Sequence, residues 1–227
     1  MKKVFLFLAA FLMTSVIEAQ TEINIGKMFD VQDEPVDLND AMTVKNGAVF
    51  IGDTRSADKI TDGKYRGMRV AKLRRYFKGE GSPVQYQNAL SFRRPPQGAT
   101  KDHKVEVNLV PRSCMIQLKP TSSGKLTICA QTNKPEGNNM YIAVVNGNSF
   151  KPLTTLNYRK DDAITGKKDA PFAAKSVNYQ YTDGDELWIY SDGSLNLFNI
   201  QFSGQFDKNF KGNNPVSLAK AISRAQK

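Results

Sequence analysis

Trp188 and Tyr190 are the residues whose types and spacing best suit a binding chemistry. They lie two positions apart in the run ELWIYS, so a β-strand would place both rings on one face. Flat aromatic rings pack against the apolar C–H faces of sugars, and amide side chains bind sugar hydroxyls. Asn178 and Gln180 are two amides in the neighbouring predicted strand. These four side chains are the candidate ligand-binding residues, and the alternative is that Trp188 belongs to the hydrophobic core.

The densest group of cations is formed by Lys72, Arg74, Arg75 and Lys78, with two aromatic residues between them. The whole chain carries a formal net charge of +10. Such a surplus attracts acidic polymers, including uronate polysaccharides, sulfated glycans and nucleic acid. The alternative is that the lysines only keep a basic protein in solution. Aromatic residues among cations also suit single-stranded nucleic acid, although a secreted location disfavours that partner.

The sequence offers few residues for histidine-dependent catalysis. His103 is the only histidine, and the chain has no G-x-S-x-G motif, so a histidine-based triad or zinc site is not indicated. Paired carboxylates could still hydrolyse a glycoside, and Lys, Arg and Tyr could carry out β-elimination on a uronate. Sequence spacing cannot place such groups together. A non-catalytic protein is therefore the leading expectation.

Two groups of acidic residues could gather oxygen ligands for calcium. They are Asp53, Asp58 and Asp62 in one loop, and Asp183, Asp185 and Glu186 in one turn. Neither spacing matches an EF-hand loop, and turns recruit Asp for local hydrogen bonds. We therefore predict no cofactor.

The segment 177–202 must position the aromatic residues. Asp183-Gly184 and Asp192-Gly193 separate three apolar runs, which predicts two consecutive β-hairpins. In the third run the apolar phase changes at Leu197-Phe198. A β-bulge there, or burial of both faces, would explain the change.

Turn length then decides which side chains share a face. A two-residue turn would put Tyr179 on the side of Trp188, whereas a three-residue turn would put it with Leu187 and Ile189. The second arrangement separates apolar from polar side chains better, so we favour it. It predicts that Trp188 and Tyr190 lie on a wetter face beside the two amides.

The two cysteines, Cys114 and Cys129, flank another predicted hairpin. A register that places them opposite each other would permit a disulfide in an oxidising compartment. A register shifted by one residue instead pairs Ile116 with Ile128, which suits a core, and sends the cysteines to opposite faces. The sequence therefore favours no bridge.

Many short apolar runs with Gly, Pro and Asn between them predict an antiparallel β-sandwich or barrel. Beyond the segment above, these runs are 48–51, 104–110, 114–119, 125–131, 140–145 and 150–156. Residues 69–77 fit either a strand or a short helix. We expect a single domain over residues 20–206. The basic tail 207–227 follows it, with a short helix starting near Asn214-Pro215.

Residues 1–19 have the layout of a secretory signal peptide. Lys2 and Lys3 precede an apolar run that is too short to span a membrane comfortably, and the segment ends at Ala19. Cleavage there would leave a soluble secreted, periplasmic or cell-surface protein without a transmembrane anchor. Loss of Lys2, Lys3 and Glu18 lowers the net charge from +10 to +9.

The run YQYTDGDELWIYSDGSLNLFNIQF resembles the closing strands of jelly-roll accessory domains in secreted polysaccharide-degrading proteins of gut anaerobes. The matching residues are Tyr179, Tyr181, Leu187, Ile189, Tyr190, Ser191, Gly193, Leu195, Asn196, Leu197, Phe198, Ile200 and Phe202. The upstream run SSGKLTICAQT is similar to a strand in the middle of such domains. The resemblance covers residues 114–204. It implies a jelly-roll-like antiparallel β-sandwich and glycan binding.

The leading hypothesis is a non-catalytic secreted module that binds a polysaccharide or surface glycan, with an acidic polymer favoured by the positive charge. One alternative is a surface protein that binds or assembles with another protein on the same fold. A further alternative is a polysaccharide lyase or glycoside hydrolase. Fold alone does not choose among them.

Overall fold

The computed structural model describes residues 21–32, 34–38, 42–53, 67–79, 81–93, 95–102, 104–163 and 170–225. The predicted signal peptide and the candidate residues Asp58, Asp62 and His103 lie outside these ranges.

Short strands make up most of the described chain. In chain order they are β1 (Thr21–Asn24), β2 (Val36–Leu38), β3 (Thr43–Lys45), β4 (Ala48–Ile51), β5 (Met68–Lys78), β6 (Val84–Phe92), β7 (Thr100–Lys101), β8 (Lys104–Val105), β9 (Met115–Leu118), β10 (Gly124–Gln131), β11 (Asn138–Asn146), β12 (Ser149–Tyr158), β13 (Phe172–Ala173), β14 (Lys175–Tyr179), β15 (Glu186–Ser191) and β16 (Leu195–Phe202). The helices are α1 (Ile25–Met28), a 3-10 turn (Lys160–Asp162) and α2 (Pro215–Ala225).

Two sheets pack face to face as an antiparallel, jelly-roll-like β-sandwich, which confirms the predicted fold class. Sheet A has the order β13-β5-β6-β16-β10-β14, with β1 beside β16 and β2 beside β5. Sheet B has the order β12-β11-β15-β9-β4-β3, and β7 pairs with β8 separately. Among the described pairings, only β13 with β5 is parallel.

The chain crosses between the sheets more often than the sequence predicted. β14 and β16 belong to sheet A while β15 belongs to sheet B, so neither Asp-Gly step closes a hairpin. The predicted hairpin between the cysteines is wrong for the same reason, since β9 lies in sheet B and β10 in sheet A. Adjacent strands do form a hairpin at β11 and β12, which turns at Gly147 and Asn148.

Alternation along the strands places the core as predicted, although the partner strands differ. Leu187 and Ile189 of β15 face the interior of the sandwich, where they meet Tyr179 from the opposite sheet. The same cluster contains Ile116 from sheet B and Ile128 from sheet A. These side chains meet across the sandwich rather than along a hairpin. Burial on this scale, at about 25 cal/mol per Å² of apolar surface, is the main stabilising term.

Both explanations for the phase change in β16 apply, since the strand has a β-bulge and is buried on both faces there. Cys129 lies opposite Asn199 and Ala130 lies opposite Leu197, so Phe198 is the extra residue. The bulge keeps the apolar residues on both sides of it facing the core, while Phe198 joins a small cluster on the outer face of sheet A.

Both cysteines are buried free thiols, in agreement with the preference against a bridge. Cys114 lies in the sandwich core, and Cys129 lies in the outer cluster with Phe198.

The tail covers the outer face of sheet B. Phe206 stacks on Phe202 at the end of the core, with ring centroids 4.7 Å apart. Phe210 then packs on the outer side of sheet B, and Leu218 of α2 packs against the same cluster. The tail helix that the sequence suggested therefore forms and docks on the sandwich.

The structure decides the ambiguous segment 69–77 and corrects the strand predicted over 104–110. Residues 69–77 lie in a strand, β5, and not in a helix. The strand predicted over 104–110 is wrong beyond Val105, because Val105 and Val110 pack as part of a cover on the outer face of sheet B. Apolar spacing alone does not distinguish such a cover from a sheet strand.

Candidate functional site

The expectation that Trp188 and Tyr190 lie on a wetter face is wrong. Their exposed fractions are 0% and 1%. The Trp188 indole N–H donates to Glu186 Oε2 at 3.0 Å, and the Tyr190 ring stacks on Tyr141 with centroids 5.3 Å apart. Both rings lie beneath the tail on the outer face of sheet B. They offer no ring surface on which a sugar could stack.

The other two candidate binding residues lie elsewhere. Asn178 is exposed at the edge of sheet A, where it lies opposite Lys125. Asn178 and Gln180 line a cavity of about 430 Å³ together with Pro152 and Asp185. The structure therefore separates the two amides from the two aromatic residues.

A larger groove, of about 650 Å³, lies on the outer face of sheet A. The two ends of the strand order in this sheet are consecutive in sequence, since β13 pairs with β5 and β14 pairs with β10. The Ala174 N–H between them donates to the Lys78 carbonyl at 3.2 Å. The sheet consequently curls, and the groove lies inside the curl.

Hydroxyl and amide groups line much of this groove. Thr127 Oγ1 and Ser176 Oγ form a hydrogen bond of 2.9 Å between neighbouring strands. Ser203 Oγ accepts from the Lys125 N–H at 2.8 Å, and Gln201 lies beside them. These groups present donors and acceptors along one wall, which suits a polyhydroxylated ligand.

The charged groups of the groove are positive. Lys78 and Lys125 both line it and are both exposed, and none of the described residues lining it is acidic. Exposed cations at a groove favour an anionic ligand.

The apolar part of the groove is a small aromatic cluster. Phe77 contacts the rings of Tyr86, Phe172 and Phe198 at centroid distances of 5.0–6.0 Å. The Tyr86 hydroxyl accepts from Asn199 Nδ2 at 2.7 Å.

Two potential nucleophiles in this cluster are held in their protonated forms. Burial raises the pKa of the Tyr86 hydroxyl well above its ordinary value, and the neighbouring Cys129 raises it further. Burial also raises the pKa of the Cys129 thiol to about 12. Because both groups keep their protons near neutral pH, neither is poised to act as a base or a nucleophile. The described groove therefore carries groups suited to binding.

The basic cluster predicted from the sequence is spread out along β5. A register shift between Lys72 and Arg75 sets two residues of β5 opposite one residue of β6. Of the four cations only Lys78 lines the groove. Phe77, expected between the cations, is buried.

The acidic residues considered for calcium accept hydrogen bonds from the protein. Asp185 accepts from the Tyr179 hydroxyl at 2.7 Å, and Glu186 accepts from Trp188 and Asn213. Asp53 accepts from Gln97 at 3.0 Å. Within the described ranges, no three side chains of the His, Cys, Asp and Glu types are grouped so that they could hold a metal ion.

Sequence reasoning missed most of the groove. Lys125 and Thr127 alternate with the core residues of β10, and Gln201 does the same in β16, so alternation alone could have placed them on an outer face. The sequence gives no signal for the curl that brings residues from β5, β6 and β14 around them.

Comparison of the sequence with protein-family models and with curated proteins finds no match. Among the described helices, none has the length and apolar character needed to cross a membrane.

Proposed function

We propose that this chain is a non-catalytic secreted module that binds an acidic glycan in the groove on the outer face of sheet A. The groove, with two lysines and a polar wall of hydroxyl and amide groups, is the observation that carries the proposal. The layout of residues 1–19 supports secretion. The resemblance of residues 114–204 to jelly-roll accessory domains supports the same role.

The shape of the groove suits part of a polysaccharide chain. Ligand sites in proteins typically enclose about 300–1,000 Å³, and 650 Å³ falls within that range. Gly79, Ser82 and Val84 are exposed at one side, whereas the polar wall lies on the other. An open groove of this kind can admit the middle of a polymer.

The positive charge of the groove favours acidic glycans over neutral ones. Lys78 and Lys125 can each donate charge-assisted hydrogen bonds to a carboxylate or sulfate, and such bonds are about twice as strong as neutral ones. Hydrolysis by paired carboxylates would need two acids at the same place, and the described lining supplies none. Binding is therefore the activity that the geometry supports best.

Affinity electrophoresis in gels containing polygalacturonate or neutral dextran tests this proposal. We expect retardation only by the acidic polymer. Lys78→Ala and Lys125→Ala should each weaken binding roughly fivefold to tenfold, because each removes one exposed charge-assisted contact.

Lys104→Ala is the matched control, since it removes an exposed lysine that does not line the groove. Equal weakening by all three substitutions would mean that overall charge alone holds the polymer. Equal retardation by dextran, or unchanged binding by both groove variants, would contradict the proposal. Repetition at higher salt separates specific recognition from salt-sensitive adhesion.

A further inference from the structure

A row of polar side chains crosses the outer face of sheet A at the end remote from the groove. Gln131 lies opposite Asn196, and Asn196 lies opposite Ser91 in the next strand. Ser91 Oγ donates to Asn196 Oδ1. Gln201, which lines the groove, is five residues along β16 from Asn196, or about 16 Å at 3.3 Å per residue. The row is therefore separate from the groove.

A pocket of about 180 Å³ opens beside this row. Its polar lining residues are Ser91, Arg93, Asn133, Lys134, Ser194 and Asn196. The loop that contributes Asn133 is fixed by its own hydrogen bonds, since Thr132 Oγ1 donates to Asn138 Oδ1 at 2.8 Å and accepts from the Lys134 N–H at 3.2 Å. The pocket is thus preorganised rather than formed by a loose surface loop.

Gln131 adds to the order of this loop. Its side chain is almost fully buried, with 3% exposed. Its Nε2 donates to the Thr132 carbonyl at 2.7 Å and to Asn133 Oδ1 at 2.5 Å. These two bonds tie the loop that contributes Asn133 to the end of β10.

The described lining of the pocket includes two cations, Arg93 and Lys134. Within the part of the chain that the structure describes, neither Arg93 nor Lys134 forms a salt bridge. Both are exposed, and none of the described residues lining the pocket is acidic. An arginine beside a lysine favours a planar or tetrahedral oxyanion, which Arg can bind with two parallel N–H donors.

We propose that this pocket binds one anionic sugar unit, with Arg93 and Lys134 holding its carboxylate or sulfate ester. The side chains of Ser91, Asn133 and Asn196, which line the pocket, bind the sugar hydroxyls. The inference rests on the proposed function in one respect, because both sites would contact the same acidic glycan. Its residues are different, so the pocket is tested by itself with a monosaccharide.

The test is an NMR titration of the full chain with D-glucuronate, in which D-glucose is the neutral control of the same ring shape. We expect glucuronate, but not glucose, to shift the backbone amides of Asn133, Lys134, Ser194 and Asn196. Glucose 6-sulfate, titrated separately, distinguishes a sulfate ester from a carboxylate as the preferred anion.

Substitutions assign the contacts. Arg93→Ala and Lys134→Ala should each weaken glucuronate binding roughly tenfold, the effect of one charge-assisted contact. Both side chains are exposed, so folding should be preserved. Lys104→Ala, which removes an exposed lysine that lines neither the pocket nor the groove, should leave this titration unchanged.

Three results would overturn the inference: no shifts at these amides, equal shifts with glucose, or undiminished binding by the Arg93→Ala, Lys134→Ala double variant. Failure of the groove would look different. In that case polygalacturonate binding would be insensitive to Lys78→Ala and Lys125→Ala while the monosaccharide titration still succeeded.

Discussion

The outer faces of the two sheets both carry aromatic residues, but one face is covered by the chain and the other carries an open groove. On sheet B, Trp188, Tyr190 and Tyr141 are covered by the tail and by part of the segment 97–112. On sheet A, Tyr86 and Phe77 lie at the base of a groove whose exposed wall is polar and positive. Aromatic residues on an outer face therefore indicate a surface that something covers. Whether the cover is the chain itself or a ligand depends on the rest of the fold.

The polar contacts on the covered face show how firmly it is closed. Gln117 is fully buried, and its Oε1 accepts from the Asn213 N–H at 2.9 Å while its Nε2 donates to the Asn213 carbonyl at 3.0 Å. Glu186 accepts from both Asn213 and Trp188. A single tail residue is thus held by side chains from two strands. The groove on sheet A has no comparable cover in the described chain.

Replacement of Gly212 by Val should release the tail and has the largest expected effect. Gly212 has a φ of +81°, and a Cβ there would lie 2.7 Å from Val49 Cγ1 and 2.9 Å from Gln117 Oε1. Left-handed strain and the clash together should lower the free energy of unfolding by about 2–4 kcal/mol. Urea titration measures the loss, and a red shift of Trp188 emission reports exposure of the face.

Gly147→Val is the matched control for this substitution. Gly147 also has a positive φ, of +54°, but a Cβ there meets nothing within 4 Å. Gly147→Val should lower the free energy of unfolding only by the backbone strain. It should leave Trp188 emission unchanged. Equal losses in the two variants would mean that the tail does not pack as described.

The pH dependence of Glu186 is a second way to examine the covered face. Burial raises its pKa above the ordinary value of 4.5, although hydrogen bonds from Trp188 and Asn213 act in the opposite direction. The folded chain therefore keeps this proton to a higher pH than the unfolded chain does. The contribution of Glu186 to stability is complete below pH 4.5 and declines as pH rises towards the raised pKa.

Comparison with Glu186→Gln, which does not titrate, isolates this contribution. The free energy of unfolding of the wild type, relative to that of the variant, should fall as pH rises above 4.5. Urea titrations of both proteins across that range provide the measurement. A relative stability that grows with pH would show that the hydrogen bonds outweigh burial and that the ionised carboxylate is the stabilised form.

The sequence predicted those features that depend on strand alternation. The core positions of Leu187 and Ile189 follow from their alternation with polar or aromatic neighbours. The phase change in β16 indicates either an extra residue or two-sided burial, and the structure has both at Phe198.

Strand partners could not be predicted in this way. An Asp-Gly step favours a tight turn, but a tight turn can join two sheets as well as two neighbouring strands. Asp192 shows the difference, because its carboxylate accepts from the Asn139 N–H at 2.9 Å and so ties the β15–β16 turn to β11. That contact is 53 residues distant in sequence, and nothing local to Asp192 indicates it.

The candidate site could not be predicted for a related reason. Trp188 and Tyr190 lie on the strand face opposite Leu187 and Ile189, as alternation predicts, but that face is not wet because the tail covers it. The groove draws residues from five strands, whose proximity depends on the curl of sheet A. Exposure is decided by these long-range contacts.

Thr127→Val should alter ligand binding on sheet A with little effect on folding. The substitution removes the hydroxyl that contacts Ser176 and keeps the side-chain shape. We expect stability to change by less than about 0.5 kcal/mol. Polygalacturonate binding should weaken about fivefold, the equivalent of one neutral hydrogen bond of about 1 kcal/mol.

Thr154→Val, at a half-buried position of β12 in sheet B, is the control and should bind normally. Unimpaired binding by Thr127→Val would remove the polar wall from the proposed contact surface.

The smallest expected effect is the response of Trp188 emission to ligand, which should be absent. Trp188 is the only tryptophan, is fully buried, and lies on the outer side of sheet B with the sandwich core between it and the groove. Saturation with polygalacturonate should therefore leave both the intensity and the wavelength of its emission unchanged, although Gly212→Val shifts them. A ligand-dependent shift would mean that the polymer displaces the tail or binds on sheet B, since the indole cannot contact a ligand while Phe210 and α2 remain in place. In that event the two faces would have exchanged roles, and the covered face would be the binding surface.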